Sequence, residues 1–251
     1  MYRDPRQHPP VPWRWPDLLK ALAAAVVVFK FMGAILVQLG GAPLRALEHA
    51  LMRQGLSPHV YLLMLNSLIA YVAAAVALAL FIMRPHHASW ATLGYRSVPV
   101  LRLAIPLLAY PVTVFVAADV EAAVVQFALH GHYVNPQAQQ LAGGVTRSMA
   151  NTVGLLLLVA VLAPLVEETV FRGVLYQWLR KSLPVGAAAG ISAAIFAAAH
   201  VIPTIFPWLF VTGLALALVF EYSGTLYCSM LLHGLINGVN VAMLIGTLHS
   251  R

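Results

Sequence analysis

The sequence predicts an all-α, polytopic membrane bundle of about seven spans, within a range of six to eight, and three observations carry that reading. Lys and Arg number 15 and Asp and Glu 8, together 9% of 251 residues, where a soluble domain carries about 25%. Hydrophobic residues make up 61% and mean hydropathy is +0.83, leaving too little polar material for a water-facing shell. The charges are also unevenly spread: residues 54–83, 148–166, 182–220 and 222–250 contain none. A crossing needs about 20 residues at about 1.5 Å each, so each stretch supplies a span and 182–220 supplies two.

Taken in order, residues 1–18 form a Pro-rich, non-helical arm, with Trp13 and Trp15 as an interfacial anchor. The arm is too long and too broken for a secretory n-region, and no small-x-small site closes the next apolar run, which is therefore expected to be a retained first span over 19–39. Lys30 inside it is expected to face the bundle or meet a carboxylate. A second span fits 61–83. A third begins near Leu103 with an ambiguous end, because Asp119 and Glu121 read either as polar lining or as the head of an interfacial helix. The remaining spans fall at 149–166, 184–200, 207–220 and 226–246, with Pro203 and Pro207 marking a turn between the fifth and sixth. Residues 19–130 then form an N-terminal set of helices, and 131–250 a core that holds the polar motifs.

Net charge is +7, yet the basic residues are scattered over short connections. This points to membrane lipid as the partner and away from nucleic acid. Arg3, Arg6, Arg14, Lys20, Arg84, Arg96, Arg102, Arg172, Arg180 and Lys181 fall on one side, against Arg45, Arg53, Arg147 and Arg251 on the other. The excess puts the N-terminus in the cytoplasm of what reads as a prokaryotic cell membrane, and an odd span number leaves the C-terminus outside. The single cysteine, Cys228, forms no intramolecular disulfide and reads as a packing residue.

An ionisable group within an apolar helix must be paired, hydrated or directed at a cavity, so the polar residues of the second half each need a reason. In "VEETVFRG", Glu168 and Arg172 share a helix face and are expected to pair bidentately, while Glu167 points about 100° away and is left free. The bland alternative is two interfacial glutamates with an arginine for balance. His200 ends "FAAAH", preceded by Ser192, Ala193, Ala194, Ala197, Ala198 and Ala199, whose small size lets helices approach. It reads as a functional imidazole or as a helix-end residue. His233 and Asn237 in "HGLIN" lie on one face of the last span, Asn240 further along, with Gly234 and Gly238 thinning the helix. They suit an oxyanion site or polar helix-to-helix contacts. Together these groups suit hydrolysis: Glu167 takes a proton from water, His200 assists, and His233 with Asn237 holds the oxyanion.

These residues resemble the CAAX-protease and bacteriocin-processing intramembrane glutamic endopeptidases. The EExxxR motif matches at Glu167, Glu168 and Arg172, FxxxH at Phe196 and His200, and HxxxN at His233 and Asn237. The resemblance covers 151–245, and "ATLGYR" at 91–96 looks like the Leu-Gly-x-Arg element that precedes the family core. It implies a CAAX-protease-like peptidase without a cofactor, with Glu168 and Arg172 supporting the site. The expected partner is a membrane-associated protein or peptide: a prenylated CAAX tail, a toxin leader or an anchored protein, with non-prenylated substrates favoured by the compact chain. The alternatives are a zinc metalloprotease using Glu167, His200 and His233, though HExxH is missing, and a non-enzymatic transporter or scaffold, though no inverted repeat is evident.

Overall fold

The computed structural model describes residues 11–39, 41–128, 130–131, 135–142 and 148–249. Residues 1–10 of the expected arm, with Arg3 and Arg6, lie outside the described residues, as do Arg147 and Arg251. The described residues form helices and turns: α1 (Trp15–Leu39), α2 (Gly41–Arg53), α3 (Pro58–Met83), α4 (Trp90–Leu93), α5 (Ala104–Phe127), α6 (Pro136–Ala142), α7 (Met149–Leu179), α8 (Val185–Ala199), α9 (Phe206–Ser223) and α10 (Leu226–His249). Among the described residues six stretches are long and apolar enough to cross a bilayer: Trp15–Ile35, Pro58–Met83, Val100–Phe127, Met149–Leu179, Pro203–Ser223 and Leu226–Thr247. The chain is a multi-pass membrane helical bundle, and large apolar side chains such as Val27, Phe31, Leu108 and Phe115 are exposed to lipid on its spans.

Six of the seven placed spans are found among the described residues, within the expected range of six to eight. The stretch read as a fifth crossing forms α8, only 15 residues long; at about 1.5 Å per residue it reaches about 22 Å, short of the roughly 30 Å hydrocarbon layer. An outside C-terminus, which rested on an odd count, no longer follows. The fourth span runs on to Leu179 instead of stopping at 166, which places Glu167, Glu168 and Arg172 within a helix and not at its end. The third is one continuous helix to Phe127, with Asp119 exposed near its C-terminal end. Lys30 is exposed rather than turned inward. It lies near the far end of the first span, where its flexible stem can carry the ammonium towards the interface. Trp13 is fully buried while Trp15 is 60% exposed, so of the two expected anchors only Trp15 is free of the protein core.

The chain divides into two compact units. One comprises Trp13–His87, Gln137–Val166 and Asn237–Arg251. Its core gathers Leu56, Val60, Tyr61, Leu155 and Val241. The Ser57 hydroxyl caps α3 by accepting from the Val60 N–H, and the Ser57 N–H donates to buried Asn151 at 2.9 Å. Asp17 closes the start of α1 by accepting from the Arg14 N–H at 2.8 Å and pairs with His86 at 3.0 Å.

The other unit comprises Met1–Pro12, Ala88–Pro136 and Glu167–Ile236. The small residues ahead of His200 decide its packing: Ser192, Ala193 and Ala197 are buried, and a Cβ on Gly213 of α9 would lie 3.0 Å from Ala193. Backbones come this close only where side chains are minimal. The Pro203–Ile205 turn joins α8 to α9, as the two prolines predicted. At the end of α9, Glu221 accepts from Tyr176 at 2.9 Å and from Arg180 at 2.8 Å. This pairing holds Arg180, which lies beyond α7, more firmly protonated than an ordinary arginine.

Candidate active site

Two π-helical turns interrupt α7, at Leu157–Leu162 and Thr169–Tyr176, and such wide turns recur at functional sites. Glu168 sits at the start of the second and Arg172 within it, both fully buried. Arg172 Nη1 donates to Glu168 Oε1 at 2.9 Å and Nη2 to the Gly213 carbonyl at 2.9 Å. The expected bidentate fork is thus replaced by a single contact to Glu168, because Gly213 brings a backbone acceptor within reach of the second guanidinium nitrogen. The guanidinium also lies over the Phe196 ring, 4.7 Å from its centroid.

His233, 3% exposed on α10, places Nδ1 2.9 Å from the same Glu168 oxygen. A carboxylate that already accepts from Arg172 is an acceptor here too, so Nδ1 carries the proton and Nε2 is turned outward. Nε2 lies 3.9 Å from Glu167 Oε2, beyond hydrogen-bond length. The two adjacent glutamates are therefore unlike: Glu168 is enclosed between two cations or donors, while Glu167 is 24% exposed and makes no comparable contact with His233.

His200 is half-buried at the end of α8, where Nδ1 lies 2.9 Å from the Phe196 carbonyl. The carbonyl can only accept, so Nδ1–H donates and Nε2 holds a lone pair. Phe196 makes edge contacts with both imidazoles, at 4.9 Å to His200 and 5.8 Å to His233. The chain reverses immediately after His200 with Val201 at φ +57°, a strained conformation for a β-branched residue. An apolar cavity of about 340 Å³ opens there, lined by Ala197, Ala198, Val201, Ile202, Pro203, Phe206 and Pro207.

The structure thus brings Glu167, Glu168, Arg172 and His233 into one cluster and links His200 to it through Phe196. Asn237 lies one turn beyond His233 in α10 and belongs to the other unit, where its amide donates to the Val159 carbonyl at 3.0 Å. Asn240 is exposed. Two participants were not singled out from the sequence. Phe196 was named only as a motif letter, although its place four residues before His200 put it on the same face; the Gly213 carbonyl left no sequence signal beyond a glycine in an apolar run.

Among the described residues no group of three or more His, Cys, Asp or Glu side chains is placed to hold a metal ion. The ligand set of the zinc alternative, Glu167, His200 and His233, does not assemble. Glu168, the carboxylate nearest His233, is already neutralised by Arg172.

Residues 149–239 match the family model described as Rce1-like, Type II CAAX prenyl endopeptidase Rce1-like. No curated protein and no solved structure matches the chain. The matched segment spans all three motifs, from Glu167 to Asn237. Over residues 149–239 the chain is thus similar to the Rce1-like CAAX protease family.

Proposed function

We propose that the protein is an intramembrane endopeptidase that hydrolyses a peptide bond of a membrane-associated protein or peptide, with Glu167 as the base that activates water. The observation that carries this reading is the inequality of the two glutamates: Glu168 is spent on Arg172 and His233, which leaves the more open Glu167 for chemistry. Water loses a proton to Glu167 as its oxygen attacks the scissile carbonyl. The resulting oxyanion is held by His233. The Nδ1 contact with Glu168 fixes the ring of His233 towards the developing charge.

His200 assists from its Nε2 lone pair, which relays the proton held by Glu167 to the leaving nitrogen. The C–N bond then breaks, giving an amine that carries the proton Glu167 took from water and a carboxylic acid that ionises by releasing its own proton to solvent. Glu168 and Arg172 touch no substrate in this scheme; they fix the ring of His233 and offset the buried charge.

The family description names prenylated CAAX substrates, and a farnesylated CAAX peptide is the first probe. A non-prenylated peptide of the same sequence forms the second arm. The wild-type protein in lipid nanodiscs is expected to cleave at least one arm, and Glu167→Gln neither. Equal cleavage by wild type and Glu167→Gln removes Glu167 as the base.

A further inference from the structure

We propose that Tyr95, which lies outside the matched segment, is a positioning residue for the glutamate site, acting through Thr169 to hold the π-helical turn that carries Glu168 and Arg172. The proposal rests on the peptidase reading of that site.

The short helix α4 and the turn after it dock along one side of this part of α7. The Tyr95 and Thr169 hydroxyls are 2.6 Å apart. One turn further on, Gly173 faces the Leu93 carbonyl so closely that a Cβ would lie 2.9 Å from it. A further turn along, the Gln177 amide donates both to the Thr92 carbonyl at 3.1 Å and to the Gly173 carbonyl at 2.6 Å. Thr169, Gly173 and Gln177 thus form one row, spaced by four, against residues 92–95. Glu168 and Arg172 form the adjacent row, each one position earlier.

A π-helical turn takes up an extra residue relative to an α-helix. If the segment reverted, side chains on one side of it would rotate by about 100° relative to those on the other. A pair four apart can meet in either form, but the rotation would change the direction in which Glu168 meets His233 and Arg172 meets the Gly213 carbonyl, so something must hold the wide turn. The row facing α4 does so with one hydroxyl pair, one side-chain-free contact and one bridging amide.

The docked turn is itself fixed. Ser89 and Thr92 make a reciprocal capping box at its start, and Gly94, at φ +109°, closes it with its carbonyl accepting from the Leu226 N–H at 2.9 Å. Tyr95 packs edge-on against Trp90 and Tyr227. Burial pushes its phenol up from the ordinary tyrosine range, so the hydroxyl keeps its proton throughout the working pH range.

The test uses the full-length protein in nanodiscs, with the farnesylated CAAX peptide as probe, and compares Tyr95→Phe, Thr169→Val, Thr169→Ser and the double variant Tyr95→Phe/Thr169→Val. Misplacing a catalytic group by about 1 Å can cost about a hundredfold. Tyr95→Phe and Thr169→Val are expected to lower kcat by roughly ten- to a hundredfold with KM changed less than about twofold. The double variant falls no further than either single one, and Thr169→Ser retains wild-type turnover. Amide exchange across residues 168–177 quickens in the two disabled variants and stays slow in Thr169→Ser. Losses that multiply in the double variant, or kcat within about twofold of wild type, overturn the proposal. If wild type fails to cleave the probe, the peptidase reading fails for it. The exchange arm then decides the positioning claim by itself, and unchanged exchange in Tyr95→Phe overturns it.

Discussion

Replacing Glu168 by Gln isolates the charge that holds the site together. Both hydrogen bonds to Glu168, from Arg172 Nη1 and His233 Nδ1, end on Oε1 at 2.9 Å. A glutamine can therefore keep an oxygen there, so both bonds persist, while the negative charge is lost and its NH2 takes the buried, unpartnered Oε2 position. What remains is a fully buried guanidinium whose carboxylate is gone. Breaking a buried ion pair from one side costs about 3–5 kcal/mol. In a chain of this size each kcal/mol moves the thermal midpoint by roughly 2–4 °C, so a fall of about 6–20 °C is expected. Glu167→Gln is the matched control. At 24% exposure, and with nothing closer than 3.9 Å in its contact with His233, it is expected to shift the midpoint by less than about 4 °C. The assay is thermal unfolding in one detergent, followed by intrinsic fluorescence, with turnover measured on the same preparations. Both variants should lose turnover, and only Glu168→Gln should lose stability. Equal destabilisation by the two, or a stable Glu168→Gln, refutes the division of labour drawn between the adjacent glutamates.

Other expectations follow from the packing around the site. Gly213→Ala places a methyl 3.0 Å from Ala193 and 3.3 Å from Phe196; it should cost about 1–3 kcal/mol by overpacking and reduce turnover by displacing the ring between His200 and His233, both readable from a thermal melt and a cleavage assay. Glu221→Gln leaves Arg180, 8% exposed, beside a neutral partner and should destabilise by about 3 kcal/mol, measured as a lowered thermal midpoint, while KM for the probe peptide stays unchanged. Dialysis against a strong chelator should leave cleavage intact, because no described side-chain group is placed to hold a metal; loss of activity restored by zinc would return Glu167, His200 and His233 to the role of ligands.

Much of this architecture was legible because charge is so scarce in the chain. Glu168 and Arg172 were expected to pair from their spacing of four, and they do; the small residues before His200 announced the close approach of α8 and α9. The span boundaries were less legible. Hydropathy marks α8 as apolar but does not show that it stops at 15 residues, and the glutamates looked like the end of a helix when α7 continues through them on a π-helical turn. The pairing of His233 with Glu168 could not be read at all, since it joins residues 65 apart and depends on which edge of α10 faces α7. Trp13 shows the same limit: an aromatic beside prolines suggests an interface, but only packing reveals that this ring is buried and Trp15 is not.

The central claim, that Glu167 activates the hydrolytic water, is tested most directly by single-turnover cleavage of the farnesylated and non-prenylated peptides with wild type and Glu167→Gln in the same nanodiscs. The account predicts cleavage by wild type and a loss of at least about a hundredfold in the variant, with an unchanged thermal midpoint. Turnover that survives in a folded Glu167→Gln protein contradicts it.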